Sequence, residues 1–72
     1  GIDVITLDRI RDVIADGKPW SAEEVGSAMG ASRTTARRYL EYMTGTGTLV
    51  AEVTYGSIGR PERRYRMQRL SA

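Results

Sequence analysis

The sequence predicts an α+β fold in which three helices are followed by a two-stranded antiparallel hairpin. Three observations predict it. Apolar residues recur at helical spacing in three stretches between Leu7 and Met43. The period shortens to two from Thr48 to Tyr55, and a second strand follows from about Glu62 to Met67. Gly and Pro residues punctuate the joins.

Residues 1–5 read as the end of a linker and residues 6–70 as one folded domain. Thr6 is placed to cap the first helix, Leu7, Ile10, Val13 and Ile14 give it an apolar face, and Gly17 stops it. Lys18, Pro19 and Trp20 form an extended stretch, because a proline disfavours helix in the residue before it. Room remains there for a short third strand at Trp20. Ser21 and Glu24 have the spacing of a capping box, so a second helix starts at this point. Val25, Ala28 and Met29 are its apolar stripe, and Gly30 ends it. Ser32 caps a third helix in which Ala36, Tyr39, Leu40 and Met43 fall on one buried face, with Gly45 and Gly47 closing it. In the first strand Leu49, Ala51, Val53 and Tyr55 point one way, and Val50, Glu52 and Thr54 the other. The loop from Gly56 to Pro61 turns the chain into the second strand.

The run from Ser21 to Met43 meets the needs of a helix–turn–helix. A small residue, Gly26 or Ser27, stands where two helices must approach, a sharp turn follows at Gly30 and Ala31, and the next helix has one apolar face. With the hairpin behind it, the whole reads as a winged helix–turn–helix.

Composition narrows the function. The 72-residue chain is one domain, and at 40% hydrophobic it is rich enough in apolar residues for a core. It has no Cys and no His, which removes thiolate and imidazole metal sites and the usual nucleophile–base pairs. No enzyme activity, cofactor or metal is expected. No apolar stretch reaches the roughly 18–20 residues of a membrane span. The lack of Cys fits a cytoplasmic protein. Gly1 in place of an initiator Met reads as the start of a fragment.

The net charge of +2 hides an asymmetry. Up to Ala31, Arg9, Arg11 and Lys18 face Asp3, Asp8, Asp12, Asp16, Glu23 and Glu24. From Ser32 onward, Arg33, Arg37, Arg38, Arg60, Arg63, Arg64, Arg66 and Arg69 face only Glu41, Glu52 and Glu62. Arginine suits forked bonds to phosphates and guanine edges. On a helical wheel Thr34, Arg38 and Glu41 lie opposite the apolar face of the third helix, with Arg37 and Tyr42 on its flanks. Arg33, Thr34, Arg37 and Arg38 are therefore the candidate base-reading residues in a major groove. The hydroxyls of Ser32 and Thr35, beside the N–H groups of the helix start, suit a phosphate. Arg60 at the wing tip suits a minor groove, and Arg64 and Arg66, which share a strand face opposite to Arg63, suit flanking phosphates.

Trp20, Tyr39 and Tyr65 read as core or boundary residues, Tyr42 as exposed, and Tyr55 stands at the base of the wing. Asp8, Asp12 and Asp16 form an acidic stripe on the first helix. These features predict sequence-specific binding of double-stranded promoter or operator DNA. The competing reading is a winged helix that docks on another protein through its acidic helix or its arginine edge, with little DNA affinity.

One family resemblance runs through nearly the whole chain. It is carried by Gly1-Ile2-Asp3, Thr6-Leu7, Ser21-Ala22-Glu23-Glu24-Val25, the run Ser32-Arg33-Thr34-Thr35-Ala36-Arg37-Arg38-Tyr39-Leu40-Glu41-Tyr42, Tyr55-Gly56, Gly59-Arg60-Pro61-Glu62 and Tyr65-Arg66. In these residues the chain resembles the C-terminal output domain of the CitB/DcuR-type response regulators, the citrate- and dicarboxylate-sensing two-component family. The resemblance implies a bacterial transcription regulator, homodimeric at full length, with an N-terminal receiver phosphorylated by a membrane sensor kinase. It maps Arg33, Thr34, Arg37 and Arg38 to the recognition helix and Arg60 to the wing. Arg63 departs from the pattern, since an aromatic residue is expected there.

Overall fold

The computed structural model describes residues 1–55, 59 and 61–68. Among these the chain runs through α1 (Val4–Ile14), β1 (Trp20–Ser21), α2 (Ala22–Met29), α3 (Arg33–Gly45), β2 (Leu49–Tyr55) and β3 (Pro61–Met67). The three strands form one antiparallel sheet in the order β1-β3-β2, so the two residues at Trp20 do become a strand. The fold is the winged helix–turn–helix that the sequence predicts.

The start of α1 differs from expectation. Asp3, not Thr6, is the N-cap: its carboxylate accepts the Ile5 N–H at 3.3 Å and the Thr6 hydroxyl at 3.1 Å. Val4 and Ile5 thus belong to the helix. The cap is fixed by a tertiary contact that local sequence does not reveal, for the Asp3 N–H donates to the Tyr39 hydroxyl at 3.1 Å. At the other end the helix stops at Ile14, and Asp16 leaves the expected acidic stripe. Its carboxylate accepts the Lys18 N–H at 2.9 Å and the Trp20 indole N–H at 3.0 Å, closing the turn that leads into β1.

The capping box on α2 is complete. Ser21 Oγ accepts the Glu24 N–H at 3.1 Å, and Glu24 Oε1 accepts the Ser21 N–H at 2.9 Å. Gly30 ends the helix at φ 74°, a conformation that a side chain would strain. The turn that follows α2 folds back against the helix at Ala31 and Ser32, and Gly26 is what admits the contact. A β-carbon there would lie 2.8 Å from the Ala31 carbonyl oxygen. Of the two small residues suited to this approach, Gly26 fills the role and Ser27 is exposed.

Ile10, Ile14, Val25, Ala36, Tyr39, Leu40, Met43, Leu49 and Tyr65 form the core, joined by Ala22 at the start of α2. Each large aliphatic side chain buried there contributes roughly 1.5–3 kcal/mol. Ala28 is exposed, so the apolar stripe of α2 is narrower than its sequence suggests. Burial in β2 does not alternate as expected: Leu49 is buried, Val50, Ala51 and Glu52 are half-buried, and the rest is exposed. Val53 is 51% exposed and Tyr55 is 76% exposed, because the hairpin projects past the helices.

Candidate nucleic-acid interface

Ser32 and the six residues after it set the geometry of the site. Ser32 Oγ accepts the Thr35 N–H at 3.1 Å and donates its hydroxyl hydrogen to Thr35 Oγ1 at 3.0 Å. The N–H groups of Arg33 and Thr34 precede the first intrahelical donor, the Ala36 N–H that bonds to the Ser32 carbonyl at 3.0 Å, and the positive end of the helix dipole adds to them. An anion at this end of α3 would meet those N–H groups and the Thr35 hydroxyl, whose hydrogen is available to donate.

With Ala36, Tyr39, Leu40 and Met43 buried, Arg33, Thr34, Arg37 and Arg38 are all exposed along the same helix. Among the described residues no carboxylate stands within ion-pair distance of Arg33, Arg37 or Arg38. The Arg38 guanidinium rests over the Tyr39 ring, 5.5 Å from its centroid, an arrangement that favours the cation while leaving its N–H edges exposed.

Glu41 does not behave as the wheel suggests. It is half-buried and faces the wing, where Arg63 grips it with two bonds, Nε to Oε2 at 2.6 Å and Nη2 to Oε1 at 3.1 Å. The Tyr65 hydroxyl also donates to Oε2. The Arg63 guanidinium, then the Tyr65 hydroxyl, hold the Glu41 carboxyl below its ordinary range, and the nearby charge of Arg37 adds a smaller effect in the same direction. Burial, then the bond to Glu41, pushes the Tyr65 phenol up. The one carboxylate on α3 is thus bonded to the wing rather than to an arginine of its own helix.

The wing divides its arginines by strand parity. Ala51 pairs with Tyr65 and Val53 with Arg63 on the core side of the sheet, while Val50 pairs with Arg66 and Glu52 with Arg64 on the other. Arg63 is therefore the arginine on the α3 side. Arg64 and Arg66 lie on the far face beside carboxylates: Arg64 meets Glu24 at 3.2 Å and Glu62 at 3.4 Å, and Arg66 meets Glu52 at 3.4 Å. The Arg64 side chain is only 28% exposed. Arg60 lies outside the described residues.

The structure thus brings Ser32, Arg33, Thr34, Thr35, Arg37 and Arg38 together on α3 and separates Arg64 and Arg66 from them. Sequence reasoning missed the Glu41–Arg63–Tyr65 cluster. Parity held a clue, since Arg63 shares a strand face with Tyr65, but the partner on α3 lies 22 residues away in the chain.

Residues 5–68 match the family described as the DpiA-like helix-turn-helix domain. The chain is similar to the transcriptional regulatory protein CitT of Bacillus subtilis (strain 168), 52% identical over 66 residues, covering 90% of this chain and 29% of CitT. It is 46% identical over 66 residues to the transcriptional regulatory protein DpiA of Escherichia coli (strain K12), again covering 90% of this chain and 29% of the relative. It is 42% identical over 69 residues to a probable C4-dicarboxylate response regulator, DctR, of Priestia megaterium, covering 94% of this chain and 30% of DctR. The chain spans a little under a third of the length of these curated relatives. All three are named for regulation, none for a catalysed reaction.

Proposed function

The chain belongs to the DpiA-like helix-turn-helix family, and on that premise we propose that it is the sequence-specific, double-stranded-DNA-binding output domain of a bacterial two-component response regulator. One observation carries the reading: three guanidinium groups line the exposed side of α3 with no carboxylate within ion-pair distance among the described residues, while Glu41 bonds to the wing.

In this reading α3 enters the major groove of a promoter or operator. Arg33, Thr34, Arg37 and Arg38 read base edges, with arginine forking onto guanine O6 and N7. Ser32 and Thr35 hold a backbone phosphate at the helix start, where the N–H groups and dipole favour an anion. Arg60 takes the adjacent minor groove. Arg64 and Arg66 serve the flanking backbone in a smaller share, because each must exchange a carboxylate for a phosphate. The DNA-binding unit begins at the Asp3 cap of α1 rather than at residue 6, and runs on to about residue 70.

The relatives' greater length and the name response regulator support a larger protein around this domain. That protein carries a receiver phosphorylated by a sensor kinase, works in the cytoplasm and gains avidity as a homodimer.

The test is a fluorescence-anisotropy titration of the domain against a 30-base-pair duplex selected from a randomised pool, at several salt concentrations. The logarithm of the affinity is expected to fall linearly with the logarithm of salt, with a slope of about −0.9 per phosphate neutralised. No enrichment from the pool, or an affinity indifferent to salt, overturns the reading in favour of a protein-docking module.

A further inference from the structure

We propose that Glu41 is a positioning residue for DNA recognition: it fixes the wing against the recognition helix by holding Arg63 and Tyr65, and so sets the spacing at which α3 and the wing meet a duplex. This rests on the DNA-binding reading above and adds a residue that makes no DNA contact of its own.

The geometry carries it. Both Glu41 oxygens are occupied, Oε1 by Arg63 Nη2 and Oε2 by Arg63 Nε and the Tyr65 hydroxyl. A carboxylate held this way is not available to a cytosine amino group or to Arg37, four residues earlier. Arg63 is in turn held from two sides, because its guanidinium lies 5.5 Å from the centroid of the Tyr65 ring as well as on Glu41. Tyr65, 1% exposed, anchors the cluster to the core and to the centre of β3. One carboxylate therefore connects the middle of α3 to the wing strand just where that strand leaves the core. Beyond this point, among the described residues, Val53 and Tyr55 are exposed and do not join the core.

An ion pair at this degree of exposure adds little to folding stability, since solvent screens it and two long side chains must be ordered. Its effect is directional. A forked guanidinium–carboxylate bond specifies an angle between the elements that carry it. A helix and a wing that engage one duplex together need that angle set in advance, because binding then orders fewer groups.

The experiment compares the wild-type chain, E41Q, R63Q and the exchanged pair E41R/R63E. Each is titrated against the duplex recovered by selection on the wild-type chain and against a scrambled duplex of the same length, with thermal melting measured alongside. R63Q changes an exposed side chain and remains folded even if E41Q does not. In R63Q and E41Q the ratio of selected to scrambled affinity is expected to fall about tenfold, within the range of coupling between residues of one ion-pair network. The exchanged pair keeps the net charge and the ion pair but gives up the Tyr65 hydroxyl's acceptor, so it is expected to recover part of that ratio. Equal changes on both duplexes would make Glu41 only a local charge, and failure of the exchanged pair to recover would make Arg63 a direct contact; either result overturns the inference. If the wild-type chain binds no duplex, the DNA reading itself fails and this inference with it.

Discussion

The carbonyl oxygen of Ala31 lies 2.8 Å from the point where a β-carbon on Gly26 would stand. The Ala31 N–H meanwhile donates to the Gly26 carbonyl at 2.9 Å. With the Gly30 N–H, which donates to the same carbonyl, this contact closes the turn between α2 and α3. Gly26→Ala must push the turn open, and an overpacked site of this kind costs about 1–3 kcal/mol. The expected result is a lower urea midpoint at an unchanged m-value.

Arg38 tests base reading. Its guanidinium is exposed and already ordered over Tyr39. Arg38→Ala is expected to weaken binding to a selected duplex by about 1–3 kcal/mol, the contribution of a forked contact to guanine, and to affect a scrambled duplex much less. Arg38→Lys keeps the charge and loses the fork, so it should retain the salt slope of the wild type without its specificity. Parallel anisotropy titrations on the two duplexes check both.

Ser21 and Glu24 separate a cap from an ion pair. Glu24 Oε1 accepts from the Ser21 N–H and from Arg64. Ser21→Ala leaves the Glu24 N–H without its partner and is expected to cost about 0.5–2 kcal/mol. Glu24→Gln keeps an acceptor for the Ser21 N–H and removes only the charge facing Arg64, so it is expected to cost less than about 1 kcal/mol. Chemical denaturation of the two variants gives the order directly.

The acid limb of stability follows from two carboxyls. Bonds from the Lys18 N–H and then the Trp20 indole hold Asp16 below its ordinary value of 3.8. Arg63 and then Tyr65 do the same for Glu41, whose ordinary value is 4.5. Both groups bind protons less readily when folded, so in acid the unfolded chain takes up more protons. Their contribution is complete above those ordinary values and is lost as pH falls through the depressed ones. Melting temperature measured from neutral pH downward is expected to decline from about pH 4.5. Asp16→Asn and Glu41→Gln should each flatten that decline, with only a small loss of stability near neutral pH because solvent screens both sites.

Much of this molecule was legible before its coordinates. Helical and strand periods place α2, α3, β2 and β3 to within a residue or two, because caps and apolar spacing act within one turn of the chain. The buried face of α3 follows from four residues, and the exposure of Arg33, Thr34, Arg37 and Arg38 follows from the buried face. The start of α1 was less legible. Thr6 and Asp3 are both cap residues by type, and the choice of Asp3 is tied to the Tyr39 hydroxyl, 36 residues away.

Taken alone, the order of amino acids determined the winged helix–turn–helix and the row of arginines on its third helix, since both arise from contacts between near neighbours. Only the folded molecule decided which arginines meet carboxylates. Alternation along β3 puts Arg63 on one face and Arg64 and Arg66 on the other, but it does not say which face meets α3. That depends on the register of β3 with β2 and on where the hairpin leaves the core. Ion pairs across such a gap are set by the approach of whole elements, and no spacing within either element records it.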